Sequence, residues 1–93
     1  MLNEFSRTEL LLKEEGMDRI SASRIAVFGL GGVGSYVAEA LARCGVGSLT
    51  LVDHDRVSLT NINRQLYALH STIGKYKIQV AKERIADINA DIL

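Results

Sequence analysis

The segment Gly29-Leu-Gly-Gly-Val-Gly34 follows the apolar run Ile25–Phe28 and opens a helix-like stretch at Ser35. A glycine loop between a buried strand and a helix leaves bare backbone N–H groups at the helix's positive end, where a phosphate can settle. In such a loop Gly29 permits the tight turn and Gly31 permits close approach of a ligand. Gly32 keeps the loop bare, and Gly34 permits close helix–strand packing. The pattern constrains the chain to an α/β, Rossmann-like start. A nucleotide is then the first class of ligand to consider.

Composition narrows the setting. With 93 residues the chain holds one small domain at most, and eleven acidic side chains balance eleven basic ones. That balance leaves no global field to attract nucleic acid or anionic lipid. No apolar run approaches the ~18 residues of a membrane span, and the N-terminus lacks the order of a signal peptide. The single cysteine, Cys44, rules out an internal disulfide. A soluble, cytoplasmic protein is expected.

Periodicity and caps predict the elements. Ser6 and Glu9 read as a capping box, with Phe5 and Leu10 as its hydrophobic staple. The first helix is therefore expected from Arg7 to near Gly16, with a second short one over 17–22. Strand one is expected over 24–30. The next helix carries Val37, Leu41 and Cys44 as a stripe towards the sheet and ends at the C-cap Gly45. Strand two covers 48–52, residues 54–76 are mainly loop with one helical turn, and a last helix runs over 77–89 with Ile78, Ala81, Ile85 and Ile88 on one face. Residues 1–23 thus read as an N-terminal helical segment. Residues 24–93 read as the opening βαβα of a mainly parallel sheet, truncated before the third strand of a mononucleotide-binding half.

Several polar residues are candidates for chemistry. Asp53 stands 19 residues beyond Gly34 at the tip of strand two, where a carboxylate can accept from ribose hydroxyls. A turn or capping role is the lesser reading, because the glycine loop at the neighbouring strand end favours the sugar. Asn61, Arg64 and Gln65 follow; an arginine fork matches phosphate oxygens, although a solvated loop is the plainer reading. Lys75 and Lys77 flank a helix start and Arg7 sits at another, where cations oppose the macrodipole unless an anion lies between them. Asp55 makes an Asp-x-Asp pair with Asp53, a weak metal signal better read as loop shaping. Cys44 is read as a buried small hydrophobe, and His54 and His70 have no ligand-spaced partners. No metal ligand is assigned.

Together, the glycine loop, Asp53-x-Asp55, Thr60-Asn-Ile-Asn-Arg-Gln65 and Gly74-Lys-Tyr-Lys77 make the chain resemble the ubiquitin-activating-enzyme-like superfamily, the ThiF/MoeB/HesA group. The resemblance covers nearly the whole sequence. It implies binding of ATP with Mg2+ and adenylation of a carboxylate. Gly31 and Gly34 would lie against the nucleotide, Asp53 would hold the ribose, and Asn61, Arg64 and Lys77 would engage the phosphates. Arg7 would reach into the partner's site across a homodimer. The wording is most similar to the branch that dehydrates threonylcarbamoyladenosine in tRNA, which makes tRNA the implied substrate; a ubiquitin-like carrier protein is the alternative. Ala90 stands where the family usually has Pro. The magnesium-binding carboxylate is implied beyond residue 93, so these residues alone are expected to be inactive. Two other classes stay open: an NAD(P)-dependent oxidoreductase, which leaves Arg64 and Lys77 unexplained, and a non-catalytic nucleotide-binding subunit.

Overall fold

A computed structural model describes residues 3–89 and Ile92. Ala90 and the residues flanking Ile92 lie outside the described residues. The order is α1 (Ser6–Ser21), β1 (Arg24–Phe28), α2 (Gly34–Cys44), β2 (Ser48–Val52), a 3-10 turn (Leu59–Asn61) and α3 (Lys77–Ile88). The two strands pair in parallel, in register from Arg24 beside Ser48 to Phe28 beside Val52. Parallel neighbours require a crossover, and α2 supplies it. Strand one ends at Phe28, two residues earlier than expected, because Gly29 turns the chain out of the ladder with a φ of 88°.

The helix α2 packs on β1 and α3 through small residues. Its buried positions are Ser35, Ala38 and Ala42, which corrects the expected stripe of Val37, Leu41 and Cys44. Val37 and Cys44 are exposed and Leu41 is only partly buried. Both sets satisfy a helical period. Alanine and serine win the inner face because they let α3 come close, and the core closes around Val27, Leu30, Val57, Tyr67, Val80, Ala81 and Ile85. On α3 the expected face holds: Ala81 and Ile85 are buried, and Ile78 and Ile88 pack against the core. Gly45 ends α2 in a left-handed conformation, with its own N–H bonded to Ala42 O and that of Val46 to Leu41 O, a Schellman motif. Asn89 then ties the end of α3 to the same corner. Its Nδ2 donates to Ala42 O at 3.4 Å and to Val46 O at 3.1 Å.

The N-terminal helix departs from expectation at its cap, its staple and its break. No side chain caps its start at Phe5, and the expected Ser6–Glu9 box gives way to a turn held by Asn3 and Ser6. Asn3 Oδ1 accepts from the Phe5 N–H at 2.8 Å, and Ser6 Oγ accepts from the Asn3 N–H at 2.7 Å. Ser6, not Arg7, is therefore the first helical residue. Leu10 is 83% exposed, so there is no staple; Phe5 and Met17 instead approach the open α-carbon of Gly45. The helix breaks at Lys13, with φ 65° and ψ 172°, and not at Gly16.

Candidate functional site

The glycine loop and the tip of β2 meet at the carboxyl edge of the sheet, where ligands collect in open α/β folds. Asp53 binds them together. Its Oδ2 accepts from the Leu30 N–H and its Oδ1 from the Asp55 N–H, both at 2.7 Å. Partial burial pushes the Asp53 carboxyl up, but those two N–H donors and the nearby charge of Lys77 outweigh it and hold the group below its ordinary value. It stays ionised at neutral pH. A carboxylate has about four lone-pair positions, so two amide donors leave room for a sugar hydroxyl.

Next to Asp53 the loop amides are unspent. The first bond of the α2 ladder runs from the Ser35 N–H to Gly31 O, and the N–H groups of Gly31, Gly32, Val33 and Gly34 have no acceptor among the described residues. Four such donors at a helix start make a ready site for an anion. The loop after β2 folds back over them. A Cβ on Gly32 would touch the Arg64 side chain at 3.8 Å, and one on Gly31 would lie 3.8 Å from Gln65 Nε2. Arg64 Nη1 donates to Thr60 O at 3.2 Å and Asn63 Oδ1 at 3.0 Å, leaving its other donors for a ligand. Asn61 is buried, and its Oδ1 accepts from the Ser58 N–H at 3.0 Å. Half of that amide thus shapes the loop, and only Nδ2 remains for a ligand.

Lys77 begins α3 and is 6% exposed. Its backbone N–H donates to Asp55 O at 3.0 Å, yet its ammonium has no hydrogen-bond or ion-pair partner among the described residues. The buried part is the stem, and the ammonium reaches the surface, where the start of a helix opposes its charge and Asp53 favours it. Lys75 is exposed. Asp55 contributes its backbone, in keeping with loop shaping. Arg7 stands apart: it lines a depression with Asn3, Glu4, Ser6 and Leu10, and none of the other candidates. His54 sits on the rim of a shallow hollow of about 520 Å³ with Phe28, Gly29, Asp53 and Asp55. Among the described residues no three of His, Cys, Asp and Glu cluster to hold a metal ion.

Ser35 and Tyr67, which sequence reasoning missed, anchor the folded-back loop. Ser35 is fully buried; its Oγ donates to Gly31 O and accepts from the Leu66 N–H at 3.4 Å. Tyr67 Oη donates to Ser35 O at 3.2 Å, and burial pushes its hydroxyl pKa up to about 12, so it remains a donor. The only hint was a serine directly after the last glycine of the loop.

A second missed pair locks the helices together. Arg84 Nε donates to Glu39 Oε1 at 2.6 Å and Arg84 Nη2 to Glu39 Oε2 at 2.9 Å, a two-pronged bridge between α3 and α2. The Arg84 bonds are the largest reason that the Glu39 carboxyl lies below its ordinary value. A carboxyl depressed in the folded state stabilises fully above its unfolded pKa and stops doing so as pH falls through the folded one. Glu39→Gln should therefore cost about 1 kcal/mol near neutrality, a figure between an exposed pair and a charge-assisted bond. The deficit should close in acid. Thermal unfolding of both proteins across the acid range checks this, and a deficit independent of pH would refute it.

Residues 5–93 match the profile of the ThiF family. The chain belongs to the ThiF family. It is 56% identical over 91 residues to the tRNA threonylcarbamoyladenosine dehydratase of Bacillus subtilis, covering 98% of this chain and 36% of that protein. It is 43% identical over 94 residues to ubiquitin-like modifier-activating enzyme 5 of Branchiostoma floridae, covering 97% of this chain and 23% of that one. Among solved ThiF-like structures, it superposes on Escherichia coli tRNA N6-threonylcarbamoyladenosine dehydratase, TcdA, in complex with ATP, with a TM-score of 0.94 and 45% identity over 96% of this chain and 37% of that chain. The chain thus spans about a third of the length of the dehydratases it matches. The Rossmann-like fold follows from that superposition. Among the described residues no helix is long and apolar enough to cross a membrane.

Proposed function

We propose that this chain forms the nucleotide-binding part of an ATP-dependent adenylating enzyme that acts on threonylcarbamoyladenosine in tRNA. The observation that carries the reading is the run of vacant amides at Gly31, Gly32, Val33 and Gly34, with Lys77, whose stem is buried and whose ammonium reaches the surface, near Asp53. Unspent amides at a helix start call for an anion, and the nearby cation adds to the attraction. A polyphosphate satisfies both. A dinucleotide's pyrophosphate needs only the glycine loop, and leaves Lys77 and Arg64 without a task. Gly31, Gly32 and Gly34 would line the phosphates, with Gly29 making the turn into them. Asp53 would hold the ribose, with Asp55 bracing it. Asn61, Gln65, Arg64 and Lys77 would face the phosphate chain.

Adenylation joins a carboxylate oxygen to the α-phosphorus as the bond to pyrophosphate breaks. Two anions must approach, and charge develops on the transferring group. Fixed donors stabilise that charge without reorganising during the reaction. Arg64 is held by Thr60 and Asn63, and Lys77 by the start of α3, so both are preorganised. Magnesium would accompany ATP through its phosphates, in the cytoplasm where ATP is supplied. Likeness to the dehydratases favours tRNA as the acceptor. The similarity to ubiquitin-like modifier-activating enzyme 5 keeps a ubiquitin-like carrier protein as the second reading.

The test is calorimetric titration of the full-length protein with ATP–magnesium and with NAD, followed by an assay of AMP release. ATP should bind in preference to NAD, and AMP should appear only with tRNA bearing threonylcarbamoyladenosine. AMP released with a carrier protein instead would move the substrate to the second reading. Tight NAD binding without ATP binding would overturn both.

Arg7 lies away from the site in its own chain, and we propose that it serves the partner's site in a homodimer. Hybrid dimers of Arg7→Ala and Arg64→Ala subunits should then regain part of the activity, because one of their two sites is intact. Well-exchanged mixtures that recover nothing would place Arg7 outside the chemistry.

A further inference from the structure

Between Asp53 and Lys77 runs a short antiparallel clip. The Val57 N–H donates to Lys75 O at 2.8 Å, the Gly74 N–H to Val57 O at 2.9 Å, and the Lys77 N–H to Asp55 O at 3.0 Å. The Asp55 N–H in turn donates to Asp53 Oδ1 at 2.7 Å. One residue, Asp55, therefore joins through its backbone the carboxylate proposed for the ribose to the lysine proposed for the phosphates. Val57 and Lys77 are buried at the ends of the clip, but the exposed stretch between them has only three backbone bonds and is marginal without side-chain support.

Arg56 supplies that support from the outer face. Its Nη1 donates to Gly74 O at 3.1 Å and its Nη2 to Tyr76 Oη at 3.0 Å. The guanidinium carbon also lies 4.2 Å from the centre of the Tyr76 ring. Arg56 and Tyr76 face each other as the bridge pair of the clip, directly before Lys77. We propose that Arg56 is a positioning residue: its fork pins 74–76 to 55–57 and thereby fixes Lys77 relative to Asp53. The inference rests on the ATP-dependent reading above. Arg56 faces away from the core, so its effect on global stability is small.

The experiment uses Arg56→Met in the full-length protein, which keeps the aliphatic stem and removes the fork. Amide hydrogen exchange should quicken in 55–57 and 74–77 and stay unchanged elsewhere, with an unaltered melting temperature. The turnover number for ATP–pyrophosphate exchange should fall about fivefold, as expected for one exposed stacked and forked contact. The KM for ATP should move less than about twofold, because the proposal assigns Lys77 to the reacting group more than to ground-state binding. Arg56→Lys, which keeps the charge over the ring, should recover part of the loss. The double variant Arg56→Met with Lys77→Ala should be no slower than Lys77→Ala alone. Unchanged exchange in the clip, an unchanged turnover number, a loss confined to KM or an additive double variant would each overturn the inference. A wild-type protein silent in pyrophosphate exchange, with threonylcarbamoyladenosine-bearing tRNA supplied as the carboxylate, would instead overturn the reading of function on which it rests.

Discussion

Lys77→Ala should lower the adenylation rate by about 10²–10³, the usual cost of removing one preorganised electrostatic contact to a transition state. ATP affinity should change far less. Stability sets this apart from ordinary damage to a core residue. Lys77 buries its stem but not its ammonium at the first position of α3, where its charge opposes the helix dipole. Replacing it gives up the packing of the stem and relieves the dipole, so the melting temperature should change little. Arg64→Ala should reduce the rate to a similar degree, but it also deprives Thr60 O and Asn63 Oδ1 of a donor and uncovers Gly32. Its loss should therefore include weaker ATP binding. Pyrophosphate exchange under varied ATP, with thermal unfolding of the same samples, separates these effects. A Lys77→Ala protein of full activity, or one that is merely unfolded, would contradict the assignment.

The parts legible in the sequence are those whose cause is local. A positive φ at Gly29 and Gly45, a carboxylate at a strand tip and a period of 3.6 on α3 are each decided within a few residues. The two strands, their parallel pairing and the helical turn at Leu59–Asn61 followed from that level. The capping box did not form, because the Ser6 hydroxyl accepts from the Asn3 N–H and the Glu9 N–H goes to Phe5 O, a choice that only the fold makes. The inner face of α2 was misread for a similar reason. Bulk apolar residues fit the period as well as Ser35, Ala38 and Ala42, and the close approach of α3 decides for the small set. No local signal marks a lysine for the positive φ at Lys13. Glu39 with Arg84, and Arg56 with Tyr76, are long-range pairs 45 and 20 residues apart, and no window of sequence contains their reason. At the site, residue types alone raised the expectation of a phosphate. The burial of Lys77 and the fold of Arg64 over Gly32 had to be seen in three dimensions.

The glycines of the loop should respond to alanine in three different ways, and Gly34→Ala should be the most damaging. A Cβ there would fall inside the contact distance of the Gly29 carbonyl oxygen and carbon, which are backbone atoms with no rotamer to yield. The loop would have to open at the point where β1 hands over to α2, and the cost should reach about 3 kcal/mol or more. Gly29→Ala meets nothing within 4 Å, but its φ of 88° costs an L-residue roughly 1–2 kcal/mol. Gly31→Ala has neither problem, since its φ is ordinary and its nearest neighbour is Gln65 Nε2 at 3.8 Å. That variant should fold with nearly wild-type stability and still lose ATP, because the methyl group occupies the space through which the phosphates reach the vacant amides. Thermal unfolding and ATP titration of the three variants should thus give opposite rankings for Gly31 and Gly34 in stability, with ATP binding impaired in both. Retained ATP affinity in a stable Gly31→Ala protein would mean that the ligand does not approach the loop from that side. A Gly34→Ala protein as stable as the wild type would mean that the loop and helix do not close as the Gly29–Gly34 contact requires.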